Sequence, residues 1–190
     1  MNTNFNKLLY YFVALLALIG ITFYLNPFNS KYDKKLDPIF LGLNFGMTSQ
    51  QFFDQCKDLN KQGKVIQGTQ NTSVLYFDNE NFKLPVDMNF YPNFHDDQIF
   101  AMPVFFNYKA WAPWNKELQS DILILEVKAL MEKWYGKGFK EKKLPSGRVG
   151  YYKIDRPRVI SLKIRDEQFV DVLIENLKYA PKDVDAQNNN

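Results

Sequence analysis

Two segments of the chain repeat apolar residues every three or four positions, the spacing of a helix that packs on one side. The first helix is predicted to begin at Thr48, whose side chain and that of Gln51 have the capping-box spacing, and to end at Gly63. Its apolar face carries Phe52, Phe53, Cys56 and Leu59.

The second helical segment runs from about Lys116 to Tyr135, and Gly136 and Gly138 end it. Its apolar residues cover a broad arc, which indicates that the helix lies on a sheet. They form one stripe of Leu118, Ile122, Leu125 and Ala129, widened by Leu123, Val127, Leu130, Met131 and Trp134.

Other segments resemble strands. Within Arg158–Arg165 and Phe169–Glu175 apolar and polar residues alternate, so the two are predicted to pair as a hairpin with Lys163 opposite Asp171. This register places the apolar residues of both strands on one face. Ile39–Leu43 is a short strand or lead-in, and residues 78–81 and 93–97 have turn compositions. The remaining predicted strands are Ser73–Phe77, Phe82–Tyr91 and Gln98–Tyr108.

These elements predict an α+β fold in which two helices pack on a mostly antiparallel sheet, within residues 39–180. A shift of 75 residues aligns Phe52 with Val127 and Tyr76 with Tyr151 without a gap. A tandem repeat of helix plus strands, with halves 39–110 and 111–180, is therefore one interpretation. Two unrelated units of helix and hairpin would also match at several apolar positions.

The N-terminal residues suggest a membrane anchor. Residues 8–25 carry no charge over 18 positions, nearly enough to span a bilayer as a transmembrane helix, with tyrosines near both ends. We predict an uncleaved anchor over residues 1–25, a linker over 26–38 and a disordered tail over 181–190. A cleaved signal peptide is the alternative, although no favourable cleavage site lies after the apolar run.

Charges beside this segment bear on its orientation. One lysine, Lys7, precedes the run and three come after it, Lys31, Lys34 and Lys35, which favours a cytoplasmic domain. Short N-terminal anchors on small bacterial domains usually export the domain that they carry. We therefore expect a single-pass protein of a bacterial-type cell membrane with a periplasmic domain, and keep the cytoplasmic face as the alternative.

Composition limits the chemistry. The chain has 190 residues, 46% of them hydrophobic, a net charge of +3, one cysteine and one histidine. A lone Cys56 excludes an intramolecular disulfide, and His95 has no partner at a metal-ligand spacing. We predict no cofactor, no metal site and no catalytic set. An enzyme that uses carboxylates or tyrosines in a sheet cleft stays open as an alternative.

Charge is distributed unevenly along the chain. Residues 128–165 contain 12 Lys and Arg against 3 Asp and Glu, whereas residues 36–127 contain 6 against 11. The basic block is either a solvated face or the binding site of an anionic partner, for which lipid headgroups are more natural than nucleic acid. The candidate residues are Lys137, Lys140, Lys142, Lys143, Arg148, Arg156 and Arg158.

Aromatic residues are dense between Phe105 and Trp114, just before the second helix. Either they are core residues, or Tyr108, Trp111 and Trp114 form an exposed surface. Trp111 and Trp114 could then enter a membrane interface or bind a protein or glycan partner in the cell envelope.

The opening Gly46-Met47-Thr48, with an apolar helix after it, resembles the start of the small outer-membrane lipoproteins of the SmpA/OmlA type. The resemblance implies the fold of two helices on an antiparallel sheet that β-lactamase-inhibitor-like domains share. It also implies a non-enzymatic binding or scaffolding role in the cell envelope. The chain departs from that family because it has no lipidated cysteine near its N-terminus and no Gly-x-Pro after the first helix.

Overall fold

The computed structural model of the chain describes residues 37–68, 73–78 and 80–182. The predicted anchor, almost all of the predicted linker and the tail from residue 183 lie outside these ranges. None of the helices within them is both long and apolar enough to cross a bilayer.

Two α-helices are described, α1 at Ser49–Lys61 and α2 at Ser120–Tyr135. The predicted capping box of α1 is confirmed: Gln51 N–H donates to Thr48 Oγ1 at 3.2 Å, and Thr48 N–H donates to Gln51 Oε1 at 2.9 Å. The second helix begins later than predicted, because Lys116–Leu118 forms a separate 3₁₀ turn. Ser120 then starts α2, and its hydroxyl donates to Asp166 O at 2.5 Å.

The described residues contain nine strands in one sheet, and every pair is antiparallel. The order across the sheet is β1-β2-β3-β5-β9-β8-β7-β6, and β4 pairs with the first part of β5. The strands are β1 Val65–Gln67, β2 Val74–Asp78, β3 Val86–Phe90, β4 Asn93–His95, β5 Gln98–Tyr108, β6 Lys140–Lys143, β7 Val149–Asp155, β8 Arg158–Ile164 and β9 Val170–Asn176.

Each helix precedes strands that lie consecutively in the sheet. The chain runs from α1 through β1, β2, β3 and β5, and then from α2 through β6, β7, β8 and β9. The last strands of the two halves, β5 and β9, pair at the centre of the sheet, with Phe105 opposite Asp171.

Three predicted elements differ from the structure. Ile39–Leu43 is a turn closed by Ile39 N–H to Leu43 O at 2.9 Å, not a strand. Residues 93–97 contain β4 as well as a turn, with Asp96 and Asp97 at positive φ. The strand predicted from Phe82 begins only at Val86, because Phe82 is buried in an irregular loop against Phe106.

The hydrophobic core lies between the helices and one face of the sheet. Every second residue of the strands points into the core, among them Met88, Phe106 and Ile174, each 0% exposed. From the helices come Phe52, Leu123, Val127 and Met131. The predicted stripe of α2 is only partly right, since Leu125 is 56% exposed and the second set of apolar residues faces the sheet. Phe53 on α1 is likewise half exposed.

The described chain begins and ends at the same end of the sheet. Asn176 Nδ2 donates to Asp37 Oδ1 at 3.4 Å, and the Tyr135 hydroxyl donates to Ile39 O at 2.7 Å. Both contacts place residues 37–39 beside the last residues of α2 and β9.

Candidate binding surface

The sheet has a second face that neither helix covers, which we call the open face. Residues that alternate with the core residues point to it, and most of them are half-buried or exposed. The ladder aligns one row of them from strand to strand across nearly the whole sheet. This row is Ile66, Leu75, Asn89, Phe105, Asp171, Lys163, Gly150 and Lys142.

An arginine contacts two phenylalanines on the open face, beside the β8–β9 turn. The Arg165 guanidinium lies 5.2 Å from the ring centroids of both Phe105 and Phe169, which contact each other edge to face at 5.8 Å. Arg165 also makes a bidentate ion pair with Asp171, in which Nε donates to Oδ2 at 3.2 Å and Nη2 donates to Oδ1. The aromatic rings and the carboxylate together fix the position of the guanidinium.

The predicted hairpin register is confirmed, with Lys163 opposite Asp171. The Asp171 carboxylate nevertheless pairs with Arg165, which lies two residues after Lys163 in the chain. Among the described residues, Lys163 makes no ion pair with Asp171 or with any other carboxylate, and its side chain is exposed.

A shallow groove of about 290 Å³ lies next to this cluster, across strands β5, β9 and β8. Pro103, Phe105 and Leu173 supply its apolar wall. Ser161, Lys163 and the ion pair of Arg165 with Asp171 supply its polar wall. Such a volume is close to the lower end of small ligand sites and suits one side chain of a partner.

Basic side chains dominate the open face on the β6–β8 side of the groove. Lys140 and Lys142 of β6 lie on the open face because they pair with Tyr152 and Gly150. Arg148 lies two residues before Gly150 and therefore faces the same side of the sheet. Its Nη1 donates to Arg165 O at 2.9 Å. With Lys163 these are four exposed cations, and within the described ranges none of them has a carboxylate partner.

The other candidate basic residues are placed elsewhere. Lys137 and Arg156 are exposed in turns outside the strands, and Lys143 has the opposite parity to Lys142. Arg158 is only 6% exposed and lies 4.6 Å from the Tyr135 ring, within 3.5 Å of Asp155. Arg158 therefore belongs to the interior and not to a surface for an anionic partner.

The three aromatic candidates for partner binding also lie in different environments. Tyr108 is 2% exposed, so it is a core residue and not a surface contact. Trp111 is half-buried, and its Nε1 donates to Glu167 O at 3.2 Å, which ties the loop before α2 to the β8–β9 turn. Trp114 is 83% exposed, and its role in partner binding stays a prediction.

Three ionisable groups have raised pKa values that bear on possible catalysis. Burial raises the pKa of Cys56 to about 11, so this thiol stays protonated at neutral pH. Burial also raises the pKa of Glu175, and it raises that of Asp87, where Lys109 partly opposes it. Asp87 and Glu175 both lie on the open face, but Asp87 pairs with Asn107 and Glu175 with Ala101, about 20 Å apart along β5, so their carboxylates form no catalytic pair like that of a glycosidase.

The cluster of Phe105, Arg165 and Asp171 is not among the sites predicted from the sequence. Arg165 and Asp171 meet through the β8–β9 hairpin, and Phe105 joins them only because β9 returns to pair with β5. The alternation within β8 and β9 is the one sequence signal that could have found part of it, since it marks Lys163 and Asp171 as a surface pair.

Comparison of the chain with protein-family models, with curated proteins and with solved structures gave no match.

Proposed function

We propose that the chain is a non-enzymatic binding domain whose working surface is the open face, held at a membrane by residues 8–25. One observation carries this proposal. A nine-stranded sheet buries one face under its helices and leaves on the other an ordered cluster of arginine and phenylalanines beside a groove. Aromatic residues and arginine are the side chains that most often dominate binding energy in protein interfaces.

We infer that the scaffold is a tandem duplication, and this interpretation supports the proposal. The predicted offset of 75 residues matches the first residue of β2, Val74, with the first residue of β7, Val149, but it falls to 66 at Phe105 and Asp171, so the repeat needs a gap. The pairings repeat as well, since Met88 faces Phe106 in the first half as Leu162 faces Val172 in the second. An approximate twofold rotation that relates the halves would pass through the central pair of Phe105 and Asp171.

The two faces differ under this rotation. On the core face of the inner strands, equivalent positions stay apolar, as with Met88 and Leu162, whereas at the outer strands Val65 corresponds to Glu141. On the open face they differ in chemistry, since Asn89 corresponds to Lys163 and Phe105 to Asp171. Packing constrains both halves alike on the core side, whereas the open face is free to acquire a binding specificity.

Photo-crosslinking in living cells tests the open face. A photo-reactive phenylalanine analogue is placed at Ser161 or Leu173 on the open face, and at Phe53 or Leu125 on the helices as matched controls. We expect one discrete crosslinked species from the open-face positions and none from the controls. Crosslinks from the helix positions alone, or from no position, would overturn the proposal.

The membrane location is a separate part of the proposal. The apolar segment of residues 8–25 and the resemblance to SmpA/OmlA-type lipoproteins support a periplasmic scaffold in the cell envelope. Fusions after Asn190 test it, one to a phosphatase active only outside the cytoplasm and one to a fluorescent protein that matures only inside. Phosphatase activity is expected. Fluorescence instead would place the domain in the cytoplasm. If the full chain fractionates with soluble proteins, the prediction of a membrane anchor is wrong.

A further inference from the structure

Exposed cations of the open face are concentrated on one side. The β6–β8 half carries Lys140, Lys142, Arg148 and Lys163, none of them paired with a carboxylate within the described ranges. On the other side of the groove the open face presents mainly uncharged side chains, from Ile66, Leu75, Phe77 and Asn107, together with the Asp87 carboxylate and Lys109. Those side chains form no comparable row of cations, so a ligand that matches the whole face is itself asymmetric.

The spacing of Lys140 and Lys142 matches an extended polypeptide. Lys140 and Lys142 are two residues apart on β6, which puts them about 7 Å apart along the strand. Lys142 and Lys163 align in one row with β7 between them, which separates their backbones by about 10 Å. An extended chain presents every second side chain on one side at about 7 Å, so alternate acidic residues meet alternate lysines.

The groove adds an apolar subsite beside these cations. Lys163 belongs both to the basic row and to the polar wall of the groove, whose opposite wall is Phe105 and Leu173. A segment that places a carboxylate on Lys163 therefore brings a neighbouring apolar side chain to Phe105. Arg165 does not compete for that carboxylate, because its guanidinium already pairs with Asp171.

A polypeptide fits this face better than a bilayer does. Neighbouring strands in a sheet rotate by about 20–25° relative to each other, so a face of nine strands is strongly twisted. A flat lipid surface reaches only part of such a face, whereas a single extended segment can track one row of side chains.

We propose that the open face binds an extended acidic segment of a partner protein, with its carboxylates on Lys140, Lys142, Arg148 and Lys163 and one apolar side chain in the groove. This inference rests on the proposed function and names the chemistry of the partner. Charge complementarity of this kind sets specificity and association rate more than it adds affinity.

The test measures the binding of labelled ten-residue peptides to the full chain in a non-ionic detergent, by fluorescence anisotropy. One peptide alternates glutamate with alanine and carries a central phenylalanine, and a second replaces the glutamates by glutamine. A third replaces them by lysine, and a fourth lacks the phenylalanine. We expect the acidic peptide with phenylalanine to bind most tightly, and its affinity to fall with added salt.

Variants assign the site. Lys142→Glu combined with Lys163→Glu should weaken binding of the acidic peptide at least about tenfold. Lys57→Glu combined with Lys137→Glu changes the net charge equally away from the open face and should leave binding within about twofold. Phe105→Ala should weaken binding only of the peptide that contains phenylalanine. Glutamine replacements at the same lysines, with thermal unfolding curves, distinguish lost binding from lost folding.

Each contrary result has its own meaning. Equal loss in both charge-reversed pairs overturns the assignment to the open face. Displacement of the peptide by short-chain phosphatidylglycerol at equal charge would make the occupant a lipid and overturn the proposal. If no acidic peptide binds while Ser161 and Leu173 still crosslink a partner, the acidic chemistry is wrong and the binding function stands. If no acidic peptide binds and neither Ser161 nor Leu173 crosslinks a partner, both the acidic ligand and the binding function are overturned.

Discussion

Single residues at the ends of α2 and α1 connect the helices to the rest of the fold. The Tyr135 hydroxyl is buried and donates to Ile39 O at 2.7 Å, while Arg158 lies against the same ring. Burial raises the pKa of Tyr135, so the hydroxyl stays protonated and remains a donor at neutral pH.

Tyr135→Phe removes one buried hydrogen bond and leaves the Ile39 carbonyl without its donor. We expect the free energy of unfolding to fall by about 1–2 kcal/mol, measured by urea denaturation. Tyr91→Phe is the matched control, since Tyr91 is 39% exposed, and it should change stability by less than about 0.5 kcal/mol. Equal effects of the two substitutions would show that the buried hydroxyl contributes nothing special.

Asp97 makes the start of α1 sensitive to acid. Hydrogen bonds from the Ser49 side chain and then from its backbone N–H, at 3.1 Å to Asp97 Oδ1, lower the pKa of Asp97 from its usual 3.8. A lowered pKa contributes stability that is complete above pH 3.8 and is lost as the pH falls through the folded-state value.

Asp97→Asn removes this titration. Wild type should therefore be more stable than the variant at about pH 6, and the difference should shrink as the pH falls below about 3.8. Urea denaturation at a series of pH values checks this. A difference that stays constant down to about pH 2 would contradict the role of Asp97 at the helix start.

At the scale of elements, the capping box of α1 is the clearest local signal in the chain. Thr48→Ala should lower the free energy of unfolding by about 0.5–2 kcal/mol, because the Thr48 hydroxyl no longer accepts from the Gln51 backbone N–H. Ser146→Ala, in an exposed turn, serves as the control for chemical denaturation. A loss no larger than that of the control would mean that tertiary contacts alone hold the start of α1.

Strand β7 has a position that only glycine fits. A Cβ at Gly150 would come within 2.8 Å of Leu162 O on β8, an atom of the backbone that cannot rotate away. Gly150→Ala should therefore destabilise the fold by about 1–3 kcal/mol. Gly63→Ala meets no atom within 4 Å, but its φ of 71° disfavours a side chain. A loss at Gly150 no greater than at Gly63 would show that the sheet shifts to accept the methyl group.

Elements with strong local patterns were predictable from sequence, and edge or irregular elements were not. The β8–β9 register is specified by alternation alone, because a one-residue slip would expose the apolar set. Strand β6 reads Lys-Glu-Lys-Lys and is exposed throughout, so no alternation marks it. Lysine on an edge strand also discourages pairing with other chains. The open-face cluster escaped prediction because it needs the order of the sheet, which local patterns do not specify.

At the scale of the whole molecule, the two halves meet through the pairing of β5 with β9. Each half alone would expose the long edge of a central strand and half of the core. Fragments 1–110 and 111–190 should therefore lack cooperative thermal unfolding when expressed singly and regain it when co-expressed. Cooperative unfolding of either fragment alone would show that the halves are independent domains.

The contact between Asp37 and Asn176 has a consequence for how the domain could be rebuilt. Because these residues lie side by side, a short linker could close the folded region into a circle. The turn between β6 and β7 lies at the other end of the strands, about 20 Å away, and could be opened to give new termini. A permuted chain would keep the same open face and carry its termini at the opposite end of the sheet.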